Sequence, residues 1–107
     1  MSARGDDMLT AHTSADEFRP FIHARFVIEL DGAEPIALEL VEVVDLGPAH
    51  ASESRRPFAL YFLGPVSDLY LRQATYRLEH PAGGSLELFM VPLGPQAGRM
   101  RYEVIFN

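Results

Sequence analysis

The chain has 107 residues, of which 48% are hydrophobic, which is enough for one domain with its own core and too few for two ordinary domains. It contains no cysteine, which excludes disulfides, thiolate metal sites and cysteine nucleophiles. No apolar run approaches the roughly 18 residues needed to cross a bilayer, and residues 1–18 lack the apolar block of a secretory signal. We therefore expect a cytoplasmic protein without a membrane segment.

Charge is distributed unevenly along the chain. The formal net charge is −6, and all nine basic residues are arginine. Residues 1–53 carry eleven acids and three arginines, whereas residues 54–107 carry four acids and six arginines. Because nonspecific binding to nucleic acid is driven by cationic side chains, the acidic balance disfavours a nucleic-acid partner.

The N-terminal residues precede the predicted domain. Residues 1–12 are polar and aperiodic, which predicts a flexible tail and leaves 13–107 as a single domain. The segment 13–18 is typical of a capped helical turn, in which a Thr or Ser hydroxyl accepts a hydrogen bond from a backbone amide. We expect one or two turns, with Phe18 and Phe21 closing one end of the core.

Short segments of alternating polarity follow, joined mostly by turns. They lie in residues 21–30, 36–45, 57–63, 69–80, 85–92 and 100–107. Alternation with period two indicates strands with one buried face. In the second segment the apolar residues change from even to odd positions between Leu40 and Val41. This change of parity predicts a β-bulge that bends the strand. Because the long crossovers of parallel strands are absent, we predict an all-β protein: a strongly bent antiparallel barrel of about six strands with a short N-terminal helical turn.

Four segments of the second half resemble an uncharacterised family of small bacterial β-domains. They are RPFALYFLGP (56–65), LRQATYRLEHP (71–81), GSLELFMVPLGP (84–95) and RYEVIFN (101–107). The resemblance implies a fold and a genomic setting beside phage-tail-collar-like proteins, and no activity comes with it. The segment 73–76 departs from the family's Gln-Gly-Thr-Tyr, since Ala74 replaces a glycine and is poorly suited to positive φ. The predicted architecture is also similar to the Sm-like and SH3-like small barrels, although such a similarity does not carry RNA binding with it.

Histidines, serines and acids are present, but none stands in a recognised catalytic or metal-binding motif. The four histidines are 11, 27 and 30 residues apart, unlike the short spacings of zinc sites. No serine lies in a nucleophile-elbow context, and the acids of residues 29–45 do not follow the spacing of a calcium loop. We therefore predict no metal, no cofactor and no enzymatic activity. A site assembled in space from His23, His80 or Tyr76 with carboxylates stays an open alternative.

The most informative feature is hydrophobicity on both faces of two segments, 58–63 and 86–91. One face of each strand fills the core, so the other is expected to contribute to an external apolar patch. The predicted patch consists of Tyr61, Leu63, Phe89, Val91 and Ile105. Such a patch is typical of a protein interface, unless the helix, the tail or the long loop covers it. We therefore expect a non-catalytic assembly or interaction module that binds a protein partner or self-associates through strand edges.

An arginine pair supplies the alternative function. Arg55 and Arg56 lie in the long loop of residues 46–57, and near Tyr61 they could contact nucleic acid. Two arginines do not form a basic stripe, so a small-barrel nucleic-acid-binding protein is the alternative rather than the leading hypothesis.

Overall fold

The structure is a computed structural model that describes residues 14–47, 56–67 and 70–106. The described residues form six strands, preceded by a short helix, α1 (Ala15–Phe18), and a 3₁₀ turn (Arg19–Phe21). The strands are β1 (Arg25–Ile28), β2 (Ile36–Asp45), β3 (Phe58–Val66), β4 (Ala74–Glu79), β5 (Ser85–Gln96) and β6 (Arg99–Phe106). They close into an antiparallel barrel in the order β1-β2-β3-β6-β5-β4, so the predicted fold class is confirmed. The predicted tail of residues 1–12 lies outside the described residues.

The N-terminal helix differs in detail from its prediction. Ser14 precedes α1 with extended backbone, but its side chain makes no capping hydrogen bond. Pro20 lies inside the 3₁₀ turn that continues the helix, where its missing amide costs nothing because the first turn leaves amides unpaired. Phe18 is buried in the core and Phe21 packs against it, which confirms that these two rings close one end of the barrel.

The barrel consists of two three-stranded meanders joined along both edges. β1-β2-β3 form the first and β4-β5-β6 the second. β3 pairs with β6 along most of its length, whereas β1 pairs with β4 only through Val27 opposite Glu79 and Ile28 opposite Leu78. The middle strand of each meander carries a register shift, at 40–42 in β2 and at 92–94 in β5. The shift in β2 confirms the predicted bulge, which bends the strand as closure of a small barrel requires.

The interior of the barrel is hydrocarbon. Buried residues alternate along β1 and much of β2 and β5, whereas β3 has buried residues on both faces. No polar or charged residue is buried within the described ranges. The largest fully buried side chains are Phe18, Phe26, Phe58, Phe62, Ile28, Leu38, Leu40, Leu60, Leu78, Leu86, Met90 and Val104. Each such side chain contributes about 1.5–3 kcal/mol on burial, so this core is the main source of stability.

The last hairpin is longer than its prediction. The alternating segments 85–92 and 100–107 leave a predicted loop between them, but β5 continues to Gln96 and only Ala97 and Gly98 form the turn. Both turn residues have positive φ, 52° and 81°, as a two-residue type I′ hairpin requires. Conversely β1 begins only at Arg25, because the preceding His23 has a φ of 79°, outside the strand region.

Candidate binding groove

The two ends of the barrel differ in what covers them. α1 and the 3₁₀ turn lie against one end, and we call it the plugged end. The opposite end is where β3 and β5 finish and β6 begins, and we call it the open end. A groove of about 580 Å³ lies there, a volume in the range of ordinary ligand pockets. Its apolar lining includes Pro92, Leu93, Pro95 and Met100 from the last hairpin, with Tyr70 facing them.

The groove exists because β5 outruns its neighbour β4. Pairing between these strands ends at Ala74 opposite Met90, so residues 91–96 have β6 on one side and no described strand on the other. Leu93 is the extra residue of the bulge, and Gly94 has a φ of 138°, which an L side chain rarely adopts. The hairpin therefore projects its apolar residues past the end of the core.

Two tyrosines hold the segment that forms the opposite wall. The backbone amide of Leu71 donates to the hydroxyl of buried Tyr102, with a nitrogen–oxygen distance of 2.8 Å. Burial raises the pKa of Tyr102, which therefore stays protonated at neutral pH. The hydroxyl of Tyr76 donates to the carbonyl of Arg72 at 2.7 Å. These bonds fix the chain directly after Tyr70, so the wall has a defined position.

Large apolar side chains are exposed around this groove. Tyr70 is 58% exposed and Leu93 is 50% exposed. Val66, at the end of β3, is 78% exposed and borders the groove, since a Cβ placed on Gly98 would lie 3.8 Å from its Cγ1. None of these three residues was predicted from the sequence. Val66 and Leu93 have Gly and Pro neighbours that favoured loops, and an apolar residue inside a turn-like segment was their available signal. Tyr70 was placed within the predicted strand of residues 69–80.

The predicted external patch is divided by the structure, and Leu63 is the clearest correction. Leu63 is only 8% exposed, although it lies on the outer parity of β3. Its cross-strand neighbours are Glu39 on β2 and Arg101 on β6. Arg99 also reaches over β3, donating from Nη1 to Glu39 Oε1 at 3.1 Å and from Nε to the Gly64 carbonyl at 2.7 Å. Long charged side chains from both sides thus cover the leucine.

Tyr61 is half-buried beneath a second such bridge. The guanidinium of Arg101 lies 4.6 Å from the Tyr61 ring centroid and 2.6 Å from Glu42 Oε1. The Tyr61 hydroxyl donates to Glu103 Oε2 at 2.9 Å, and this hydrogen bond is the main reason that the pKa of Tyr61 is raised. Glu39 and Glu42 of the first half therefore pair with Arg99 and Arg101 of the second half across β3.

The other three predicted residues stay together on the outer wall of the second meander. Phe89 is 51% exposed, Ile105 is 43% exposed and Val91 is half-buried. We call these three residues the outer patch. None of them lines the groove at the open end, so the molecule has two separate apolar surfaces.

The predicted arginine pair falls partly outside the structure. Arg55 lies outside the described residues. Arg56 lines a polar pocket with Asp16 and Asp45, so its surroundings are acidic. Arg19 pairs with the same two carboxylates at 3.1 and 2.9 Å. This region of the described surface is a mixed-charge cluster, unlike the basic stripe of a nucleic-acid site.

The two histidines considered in the sequence analysis lie in different cavities and do not form one site. His80 lines a cavity together with the carboxylates Glu29 and Glu79. His80 packs edge-on against Phe21 and Phe26, with ring centroids 4.4 and 5.1 Å away, and burial lowers its pKa. His23 instead lies 2.8 Å from Glu39 in a different cavity. Across the described ranges, no group of three or more His, Cys, Asp or Glu residues is placed to hold a metal ion.

Residues 13–106 match the model of a family described as a domain of unknown function (DUF6916). The chain belongs to this family. Comparison with curated proteins found no match, and comparison with solved structures found none either. Among the described residues, no helix has the length and apolarity required to span a membrane. The family match covers both meanders, so the groove and the outer patch both lie within the family's domain.

Proposed function

We propose that this protein is a non-catalytic interaction module that binds a protein partner in the groove at the open end of the barrel. The observation that carries the proposal is the clustering of Val66, Tyr70 and Leu93, all at least half exposed, around an apolar groove. Contiguous exposed apolar surface on a small domain is typical of an interface. The same positions contribute little to the core, so their exposure is better explained by binding than by folding.

The groove favours docking of partner side chains over addition of a partner strand. Closure of the barrel pairs both edges of β1, β2, β3 and β6 at least in part. Within the described ranges, the longest strand edge that lacks a neighbouring strand is that of residues 91–96. Pro92 and Pro95 lie in that edge and have no backbone amide to donate. Self-association through strand edges is thereby disfavoured.

The charge arrangement favours a protein over a nucleic acid. Arg99 and Arg101 of β6 lie 3.1 and 2.6 Å from the carboxylates of Glu39 and Glu42. An arginine that is already paired with a carboxylate releases few counterions from a phosphate backbone. The net charge of −6 also repels the negatively charged phosphates of a nucleic acid. We interpret these ion pairs as contacts that stabilise the outer wall of the barrel.

The resemblance of the second half to small domains encoded beside phage-tail-collar-like proteins suggests the partner's setting. We propose that the module is phage-tail-associated, which makes the products of neighbouring genes the first partners to test. The strongly bent barrel is similar in pattern to Sm-like and SH3-like barrels. SH3 domains bind extended peptides in grooves lined by aromatic residues, and Tyr70 beside Leu93 provides a surface of that kind.

A matched pair of variants tests the proposal. Leu93 and Phe89 lie on the same strand and are 50% and 51% exposed, but only Leu93 lines the groove. Peptides are selected from a random dodecapeptide display library against the wild-type protein, and their affinities are measured by fluorescence anisotropy. Leu93→Ser is expected to weaken binding about tenfold or more, as for a hot-spot residue, whereas Phe89→Ser changes it less than about twofold. Loss in Phe89→Ser alone would assign the interface to the outer patch instead.

Self-association through the outer patch is the second candidate, because Phe89 and Ile105 are large, apolar and exposed on one wall. Light scattering over a concentration series measures it directly. A wild-type dimer that becomes monomeric in Phe89→Ser and persists in Leu93→Ser supports this candidate. A wild-type protein that stays monomeric at high concentration rejects it.

A further inference from the structure

A second cavity, of about 510 Å³, lies on the outer wall near the open end, and its charged lining differs from that of the groove. His23, Arg25 and Arg99 line it together with one acid, Glu39. His23 precedes β1, Arg25 lies on β1 and Arg99 begins β6, so the topology assembles the cluster from distant parts of the chain. We call it the cationic cavity.

The single carboxylate of the cationic cavity is already engaged on both oxygens. Glu39 Oε1 lies 3.1 Å from Arg99 Nη1, and Oε2 lies 2.8 Å from His23 Nδ1. The hydrogen bond from His23 is the first cause of a lowered pKa at Glu39, which is therefore ionised at neutral pH and accepts from both partners. One negative charge thus faces two guanidinium groups, which leaves the cavity net positive in a protein of net charge −6.

Local backbone geometry orients His23 toward this cluster. Its φ of 79° is unusual for a residue with a side chain, and its amide donates to the Leu40 carbonyl. Ala24 resumes the normal path, since its carbonyl accepts from the amide of Leu40. Two backbone hydrogen bonds to Leu40 of β2, one from His23 and one to Ala24, therefore hold this segment beside β2, with the His23 imidazole 73% exposed.

The cationic cavity and the groove adjoin one another across a short rim. Pro65 lines the cavity and Ser67 lines the groove, with the exposed Val66 between them. On the neighbouring strand, Arg99 and Gly98 are consecutive and line the cavity and the groove respectively. Two residues of extended chain span roughly 6.6 Å, so one short peptide can reach both sites.

We infer that the groove and the cationic cavity bind a single extended peptide segment, which places an apolar side chain in the groove and a carboxylate against Arg25 and Arg99. This inference rests on the proposed function and adds the chemistry of the partner. Charge complementarity supplies the argument: the cavity is net positive, whereas the surrounding protein is acidic. The apolar and acidic groups of the segment are separated by about two residues, since that is the spacing across the rim.

The experiment compares peptide preferences of the wild-type protein with those of Arg25→Gln. Arg25 is exposed and contributes no buried packing, so the variant is expected to fold, and a thermal melt checks it. Arg77→Gln is the matched control, because Arg77 is an exposed strand arginine that lines neither site. Dodecapeptides selected against the wild-type protein are resynthesised with each Asp or Glu replaced by its amide.

The expected result is enrichment of an acid about two residues from a large apolar residue. The amide peptide is expected to bind the wild-type protein and Arg77→Gln about fivefold more weakly than the acid peptide, as for one exposed ion pair. Arg25→Gln leaves only Arg99, which is paired with Glu39, and is expected to reduce this preference to less than about twofold. The inference is overturned if selected peptides show no acid preference or if Arg25→Gln retains the full preference.

The same data separate this inference from the proposed function. Peptides without acid preference whose binding is lost in Leu93→Ser would contradict the cationic cavity and leave the groove as the binding site. Peptides whose binding is unaffected by Leu93→Ser would contradict both. An acidic peptide that loses affinity in both Leu93→Ser and Arg25→Gln supports both.

Discussion

The plugged end and the open end of this barrel are built from the same alternating strands but finished differently. At the plugged end, Phe18 is 1% exposed and contacts Phe26, Phe58 and Phe106, with ring centroids 5.6 to 6.4 Å apart. At the open end, Tyr70 and Leu93 remain at least half exposed around a groove. Aromatic rings that face the core thus stabilise one end, while apolar groups at the other end are available for binding.

The difference follows from what each end receives from the chain. A helix and a 3₁₀ turn precede β1 and supply Phe18 and Phe21 as a cover. The open end receives a hairpin that outruns its neighbour, held on one side by β6 alone. Substitutions at the plugged end should therefore reduce stability, and substitutions at the open end should reduce binding.

The largest expected effect is that of Phe18→Ala. Removing a fully buried ring from the plugged end should lower the free energy of unfolding by about 3–5 kcal/mol, measured by urea denaturation. Phe89→Ala is the matched control, since this phenylalanine is 51% exposed and should change stability by less than about 0.5 kcal/mol. Equal losses in the two variants would contradict the assignment of the ring as a structural plug.

A smaller effect is expected from Tyr102→Phe, which removes the hydroxyl that accepts from the Leu71 amide. The expected loss is about 1 kcal/mol, together with faster hydrogen exchange at that amide. Tyr76→Phe removes an exposed hydroxyl that donates to the Arg72 carbonyl and should cost less. Unchanged exchange at Leu71 in Tyr102→Phe would show that the groove wall is held by other contacts.

The plugged end should also make stability depend on pH through His80. Burial lowers the pKa of His80 in the folded protein, so the unfolded chain takes up a proton first as the pH falls below about 6.5. The free energy of unfolding should therefore decrease below that pH. His80→Asn keeps an acceptor for the Ala82 amide without titrating, and its stability should vary less between pH 7.5 and 5.5.

Glu39 should act in a separate and lower pH range. Because the pKa of Glu39 is lowered in the folded protein, its carboxylate contributes to the free energy of unfolding above its ordinary pKa of 4.5. This contribution is lost as the pH falls through the pKa of Glu39 in the folded protein. Measurements between pH 7.5 and 5.5 therefore lie above the range in which Glu39 acts. A variant His80→Asn with the same pH profile as the wild-type protein would contradict the half-buried, neutral imidazole.

The smallest effect on stability is expected at the open end itself. Leu93→Ser changes a half-exposed bulge residue and should alter the free energy of unfolding by no more than about 0.5 kcal/mol. Its loss of peptide binding would then be an effect on the surface and not on folding. A large drop in the melting temperature would instead show that the hairpin supports the barrel.

Local pattern was sufficient to predict the barrel, because the parity switch at Leu40 and Val41 has one simple explanation in an antiparallel sheet. It was insufficient for Leu63, whose cover comes from Glu39 and Arg101, residues distant in sequence but adjacent across the strands. The groove was missed for the related reason that glycine and proline around Leu93 are typical of loops as well as of bulged edges. Covering contacts between strands depend on register, which composition does not encode.

The most direct test of the open end as the binding surface is a chemical-shift map of the isotope-labelled protein with a selected dodecapeptide. Saturable shifts centred on Val66, Tyr70, Leu93 and Gly98 are the predicted result. Shifts centred on Phe89 and Ile105, or on the plugged end, would contradict it.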